Sequence, residues 1–423
     1  MSKKSGSLRN ELTAEQFQAL ELMQSGENIF LTGGAGSGKS YVTRCFMEDM
    51  NSKDFPILAS TGTAAVLVGG RTFHGFFGLG IMEGGPEKTF EKASLDARLM
   101  KRLRQVEGVI IDEVSMISSQ ALETAESLAR HARNNTLPWG GLRVICVGDF
   151  SQLPPVSSEK IKPWAFLSSA WKNSGFIPFQ LHHNQRVQEN LFLDVLADVR
   201  QGKVTDQVRQ FLNSKLQKHD PADTAPRLFP RRAQAESFNQ MRLQQLTGEM
   251  FESASIYLGL EKQIETLKKM SPVPDLLQLK EGASVMFLQN DPQRRWVNGT
   301  RGTVVQCEPD KIIVEKLHGR DVTVEKSSFS MLDADGQVIA SVINFPLVLS
   351  YATTIHKSQG ATLDDLWVDL RSLWEPGQAY VALSRLRTSQ GLKLTSWTES
   401  SIKVDPVVTQ FYEEFELAFP SRQ

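Results

Sequence analysis

The sequence predicts an α/β protein built on parallel sheets, and three observations carry that expectation. Through the first half, short apolar runs alternate with helical patterns, the signature of strands crossed over by helices. Polar or charged clusters stand just after the C-terminal ends of those runs, the edge at which open α/β sheets bind ligands. At 423 residues, 40% hydrophobic and 22% charged, the chain exceeds what one core organises, so two or three domains are expected.

From the N-terminus, residues 1–10 carry Lys3, Lys4 and Arg9 without an apolar signal core and read as a short disordered tail. Thr13-Ala14-Glu15-Gln16 precedes the amphipathic positions Phe17, Leu20 and Met23. Thr-x-x-Gln is a capping box that starts a helix. Gln16 could also hydrogen-bond an adenine edge, but sequence physics favours the cap. A first strand at 28–32 leads into Gly33-Gly34-Ala35-Gly36-Ser37-Gly38-Lys39-Ser40, the G-x-x-x-x-G-K-[ST] pattern in strand–loop–helix context. Its backbone N–H groups and the following helix N-terminus suit phosphates. Lys39 would reach the β/γ-phosphates and Ser40 would ligate Mg²⁺. An accidental glycine-rich turn is the alternative, and the flanking strand and helix weigh against it.

A second strand at 56–60 ends at Thr61-Gly62-Thr63, and 78–93, with Gly84-Gly85-Pro86, reads as a small excursion. A strand at 109–111 ends in Asp112-Glu113. In a phosphate-loop ATPase the first carboxylate holds Mg²⁺ and the second polarises water; solvated acids at a strand end are the alternative. The strand at 143–148 is followed by Asp149-Phe150-Ser151-Gln152 and two prolines. Gln152 is either part of a polar turn or a sensor of the γ-phosphate, since an amide both donates and accepts. A further strand is expected at 176–181.

A second α/β unit is read as split: 176 to 246, with a strand at 227–229, then 345–350, 366–370, 380–382 and 392–394. Between its parts, 279–343 changes to β-branched runs with glycine turns at 283–288, 302–306, 311–315, 320–325 and 338–343, which reads as an inserted barrel. Two arginines follow strand-like stretches of the second unit, Arg186 and Arg385. An arginine offered from a neighbouring domain stabilises transferring phosphoryl charge, although any single arginine is more often a solvated surface group. Ser350 through Gly360 gathers hydroxyls, His356, Lys357 and a glycine, a set suited to phosphodiester contact. The basic pairs Arg231-Arg232 and Arg294-Arg295, and Lys101-Arg102-Leu103-Arg104, could line a groove or be solvated faces.

Net charge is −1, so any polyanion must be held by a local groove. Cys45, Cys146 and Cys307 are isolated in apolar stretches, which argues for a reducing compartment and against disulfides or a zinc site. No apolar stretch approaches the ~18 residues of a membrane span.

With these segments in place, the chain resembles the Pif-type DNA helicases and their relatives RecD and the phage Dda protein, of helicase superfamily one. The carriers are GGAGSGKS, ASTGTAA from Ala59, TFHGF from Thr72, DEVSM from Asp112, GDFSQLPPV from Gly148, ATTIHKSQG from Ala352 and YVALSR from Tyr380. The resemblance implies an ATP-dependent 5′→3′ DNA helicase using Mg²⁺, with roles in replication, repair, recombination or telomere and genome maintenance. It implies two RecA-like motor domains (1–74 with 98–175, and 176–246 with 345–423), a wedge at 75–97 and an SH3-like barrel at 247–344.

By that resemblance Gln16 reads adenine, Gly360 joins the ATP site, Gln152 senses phosphate, and Arg186 and Arg385 are the opposing arginines. Thr61, His74, Phe77 (or Phe76, stacking on a base), Asn298, Thr354, His356 and Lys357 contact DNA. The family usually shows Arg-Gln in its fourth motif where this chain has Gln185-Arg186-Val187. Asn298-Gly299 matches the family's barrel segment and is also a type I′ turn pair. Expected partners are single-stranded DNA and tailed or forked duplexes. The implied enzyme is a near-minimal monomer acting in the cytoplasm at the nucleoid, away from membranes. An ATP-gated switch that senses DNA without moving, and an RNA-directed translocase, are the competing readings.

Overall fold

The computed structural model describes residues 11–418 apart from 62–70, 81, 83, 158, 160, 188, 219–222, 224, 294, 297, 318 and 333–336. The expected tail at 1–10, the second half of ASTGTAA and Arg294 lie outside the described residues.

The first sheet has six strands in the order Arg71–Thr72, Ile57–Ala59, Gly108–Ile111, Arg143–Val147, Ile29–Gly33 and Ile177–Leu181, every pair parallel. Its central strands read as unbroken apolar runs because helices bury both faces. One face carries Leu20, Val42 and Phe46, and the other carries Leu122, Leu128 and Trp171.

The second sheet, also parallel, runs Ala352–Thr354, Arg227–Phe229, Leu366–Val368 and Leu392–Leu394. Between these strands in sequence lie antiparallel sheets. One has five strands, Asp321–Glu325, Lys311–Lys316, Arg301–Cys307, Ser284–Phe287 and Leu347–Leu349. A three-stranded sheet joins Ser327–Leu332, Val338–Asn344 and Ile256–Gly259, and Phe251–Ala254 pairs with Leu276–Leu279.

Several expectations change. The strand expected at 176–181, assigned to open the second unit, pairs with the phosphate-loop strand as the edge of the first sheet. Leu347–Leu349, expected in the second parallel sheet, closes the five-stranded antiparallel one. The run 338–343 lies outside that sheet, in the three-stranded one. The stretch 380–382 is helical, within Gln378–Leu383, a fully buried turn of helix started by Gly377 in the left-handed region.

The C-terminal helix Pro406–Ala418, expected to belong to the second unit, instead returns to the first core. Phe411 packs against Phe150 and Phe166 at 5.4 and 4.3 Å between ring centroids, and Phe415 meets Phe30 at 6.1 Å. It therefore straps the end of the chain across the first sheet. In the 75–97 excursion, helix Gly85–Ser94 lays Phe90 on His131, a ring separation of 5.6 Å.

Candidate active site

The phosphate loop is set by what surrounds it. Strand Ile29–Gly33 lies between two parallel neighbours and delivers Gly33 against Leu181, where a Cβ would approach the Leu181 carbonyl oxygen to 2.5 Å. Gly38 takes φ 95° as the cap of helix Lys39–Met47 and leaves room for the Gln16 amide. Gln16 does two things at once. Its Oε1 accepts from the Thr13 N–H at 3.1 Å, completing the capping box, and its Nε2 donates to the Ser37 carbonyl at 3.3 Å. The cap reading and the loop-lining reading thus meet in one buried side chain.

Lys39 Nζ donates to the Gly33 and Gly34 carbonyls at 2.8 and 3.1 Å. Burial pushes its ammonium below the ordinary value, against the pull of Asp149, Glu113 and Asp112. Asp112 accepts from the Glu113 N–H at 3.0 Å; burial and the adjacent Glu113 charge push it up to about 7. Glu113 sits in the left-handed region at φ 53°, which turns its carboxylate back towards the cleft groups.

Among the described residues no group of three or more His, Cys, Asp or Glu could hold a metal by itself. The half-buried Asp112 carboxylate and the exposed Ser40 hydroxyl fit Mg²⁺, which takes one or two protein oxygens and completes its shell with phosphate and water.

The second unit reaches directly into this loop. Tyr380 Oη accepts from the Ala35 N–H at 2.7 Å, Asn184 Nδ2 donates to the Ala35 carbonyl at 2.8 Å, and the Gln185 N–H donates to the Gly36 carbonyl at 2.8 Å. Arg186 Nη1 donates to the Ser384 carbonyl at 2.6 Å. Arg385 is buried; its Nε donates to Val381 O at 2.8 Å and its Nη1 to Ser358 O and Ala361 O, both at 3.4 Å. Burial and the nearby Arg186 push its guanidinium down to about 9, with Glu113 pulling the other way. Gly360, at φ 79°, lies in the turn that Arg385 ties on both sides. Gln152 is buried and accepts from Gln359 Nε2 at 3.2 Å. Lys39, Asp112, Glu113, Gln152, Arg186 and Arg385 therefore face one cleft between the two parallel sheets.

The expected DNA-contact residues divide. His74 lies in the short helix Phe73–Phe76, where burial lowers its pKa. Thr61 is half-buried at the end of Ile57–Ala59. His356 and the exposed Lys357 sit in helix Ile355–Ser358, just past strand Ala352–Thr354. Thr354 is buried and spends its hydroxyl on the Lys357 N–H at 3.1 Å, so it caps that helix.

Phe77 is a correction. It is fully buried, its ring packed at 5.0 Å on Phe73 and 5.9 Å on Trp139, and Phe76 is equally buried; both are core residues without a face for a base. Asn298 is exposed and, unlike Gly299, does not take a positive φ, so the pair is not a type I′ turn.

Sequence reasoning missed several participants. Gln359 and Tyr380 lie inside quoted motifs yet received no role. Arg200 pairs with the fully buried Asp149 at 3.0 Å, and the Tyr412 hydroxyl donates to the same carboxylate at 3.1 Å; no local pattern marks either residue. Trp374 is 46% exposed with Arg231 at 5.0 Å over its ring, near the His356–Lys357 edge. An aromatic beside basic groups suits a nucleic-acid strand.

A model of the PIF1-like helicase family matches residues 11–210, and a model of the DNA helicase Pif1 2B domain matches 263–307. The ATP-dependent DNA helicase Pif1 of Bdellovibrio bacteriovorus is 62% identical over 406 residues, covering 96% of this chain and 92% of that protein. Bacteroides sp Pif1 in complex with ADP-AlF4 matches with a TM-score of 0.84 at 28% identity, over 96% of this chain and 98% of that one. Bacteroides Pif1 bound to ssDNA matches at 0.68 and 29% identity, over 97% of each chain.

Proposed function

The chain belongs to the PIF1-like helicase family, and from that membership we infer that its cleft drives 5′→3′ movement along single-stranded DNA. It is an ATP-dependent DNA helicase. The observation that carries the reading is the cleft itself. Lys39 and Glu113, at the edge of the first sheet, face Arg385 of the second unit and Arg186, which bonds the Ser384 carbonyl beside it, and Gln359 joins the two sides.

In this reading the loop amides and Lys39 bind the phosphates, and Gln16 borders the base. Glu113 orients water and takes its proton. Arg186 and Arg385 meet the charge that builds on the transferring phosphoryl group. Ser40 and Asp112 would hold Mg²⁺, which when bound would supply positive charge against the triphosphate. Loss of the γ-phosphate removes the anion that both arginines share, so the cleft reopens and one DNA grip shifts against the other. Two Bacteroides structures of near-equal coverage differ in TM-score, 0.84 against 0.68, which supports parts that change their mutual arrangement.

The proposed division is two RecA-like units, the first extended by strand Ile177–Leu181 and the C-terminal helix, the second holding 182–246 and 350–405. The segment 75–97 acts as the wedge and the antiparallel sheets of 247–349 as the SH3-like accessory domain. His74, His356 and Lys357, with the Arg231–Trp374 pair, hold the strand. The enzyme works as a monomer in solution on single-stranded, tailed and forked DNA, in genome maintenance. Among the described residues no helix is long and apolar enough to cross a membrane. Opening one base-pair step costs ~1.4 kcal/mol, so coupling and not energy limits the motor.

The test is ATPase activity with and without single-stranded DNA, paired with unwinding of 5′-tailed and 3′-tailed duplexes. Strong stimulation and a 5′-tail preference are expected, and Lys39→Ala abolishes turnover while DNA binding persists. Absence of stimulation overturns the motor, and a 3′ preference reverses its direction.

A further inference from the structure

Gln359 is placed where the two ends of the machine meet. It is the residue just after helix Ile355–Ser358, which carries His356 and Lys357. Its Nε2 donates to Glu113 Oε2 at 3.0 Å and to Gln152 Oε1 at 3.2 Å. A carboxylate only accepts, so the bond to Glu113 fixes which end of the Gln359 amide faces the cleft. Both N–H groups of that amide are then spent on the two side chains that would handle the attacking water. The remaining atom, Oε1, is buried and has no hydrogen-bond partner among the described residues. It belongs to the same amide that bonds Glu113 and Gln152, so a water molecule held between it and these side chains would satisfy it.

The backbone makes the placement rigid. Arg385 Nη1 ties the Ser358 and Ala361 carbonyls on either side, and Thr354 caps the helix at its other end. A shift of the His356–Lys357 segment therefore carries Gln359 with it.

We propose that Gln359 is the positioning residue that links engagement of single-stranded DNA at the His356–Lys357 segment to activation of water by Glu113 and Gln152. Its acceptor oxygen shares the water, and its two donors hold Glu113 and Gln152 at a fixed separation. DNA stimulates hydrolysis because a strand held at His356 and Lys357 keeps Gln359 in this geometry through the catalytic cycle. The proposal rests on the helicase reading above and assigns within it the physical link between track and fuel.

The experiment measures steady-state ATP hydrolysis by the full chain with and without single-stranded DNA, for wild type, Gln359→Ala, the isosteric Gln359→Glu, Glu113→Gln, and Glu113→Gln combined with Gln359→Ala. Single-stranded DNA affinity is followed by fluorescence anisotropy. General-base catalysis contributes about 10²–10⁴-fold, so loss of its positioning is expected to lower the DNA-stimulated kcat about 100-fold. KM for ATP and DNA affinity stay near wild type. The double variant is expected to lose far less than the product of the two single losses, because Glu113, the base that Gln359 chiefly positions, is already gone. Gln359→Glu keeps the shape but loses the donors, so it falls with Gln359→Ala and guards against a simple folding defect.

Multiplicative losses in the double variant, a loss confined to KM, or wild-type turnover in Gln359→Glu each overturn the proposal. A wild-type enzyme that DNA does not stimulate overturns the helicase reading itself. A stimulated wild type beside fully stimulated Gln359 variants overturns only this inference.

Discussion

Two arginines on the second unit, Arg385 buried and Arg200 largely so, face the first across one cleft, and their surroundings are opposite. Arg200 meets Asp149 with a two-pronged contact, Nη2 to Oδ1 at 3.0 Å and Nε to Oδ2 at 3.1 Å, and its guanidinium lies 4.8 Å from the centre of the Tyr412 ring. Burial alone would lower its pKa, but the Asp149 charge raises it above the ordinary arginine value. Among the described residues Arg385 bonds carbonyl and hydroxyl oxygens and no carboxylate; burial and the neighbouring Arg186 charge outweigh the pull of Glu113, and its pKa falls to about 9. One cation is already neutralised and serves as a clasp. The other is held in low dielectric without a full counter-charge, which is the state of a group waiting for an anion. Burial alone therefore does not separate a structural arginine from a phosphate-binding one; the identity of its acceptors does.

Arg385→Met tests this contrast with the largest effect. Turnover is expected to fall about 10³-fold, the low end for a charge-stabilising arginine in phosphoryl transfer. The melting temperature without nucleotide is expected to hold or rise, because an uncompensated buried charge leaves with the side chain. A melting temperature that drops sharply would make Arg385 a second clasp and collapse the distinction.

Arg200→Met should behave in the reverse way. It strands Asp149, which is fully buried, and breaking such a pair costs about 3–5 kcal/mol. Chemical denaturation of the nucleotide-free protein measures that loss. Adding Asp149→Asn is expected to recover much of it, since both charges then leave together. If Arg200→Met unfolds no more readily than wild type, the clasp is not holding the units.

How much of this was legible in the sequence follows from how local each signal is. The phosphate-loop strand, the Asp112-Glu113 strand and Arg143–Val147 announce themselves as apolar runs ending in chemistry, because parallel strands buried on both faces carry no alternation to misread. The run at 380–382 misleads for the same reason: a short helix buried all round, Gln378–Leu383, has no polar face to reveal its period. Pairing partners are not local either, so Leu347–Leu349 and Ile177–Leu181 were placed in the wrong sheets. Phe77 sits beside a motif histidine, and nothing in its spacing distinguishes an aromatic that faces a base from one that faces Trp139. The clasp was invisible because Asp149, Arg200 and Tyr412 come together only after the last helix has crossed back over the first sheet.

That crossing gives the smallest and most discriminating test. The Tyr412 hydroxyl donates to Asp149 Oδ1 at 3.1 Å and accepts from the Phe150 N–H at 3.0 Å, while Thr32 Oγ1 lies 3.0 Å away. Tyr412→Phe keeps the ring against Arg200 and removes only these bonds, so a loss of about 1–3 kcal/mol is expected, with turnover little changed. Its pH dependence has a definite sign. Burial would raise the Asp149 pKa, but the Arg200 charge and the hydrogen bonds lower it below the ordinary aspartate value of about 4. A carboxylate whose pKa is depressed by folding contributes its stability in full above that ordinary value and loses it as pH falls through the depressed one. The stability gap between wild type and Tyr412→Phe should therefore be constant from neutral pH down to about 4 and shrink below it. A gap that instead shrinks near neutrality would mean that Asp149 is protonated there, and the clasp would then be a neutral hydrogen bond and no counterweight to Arg385.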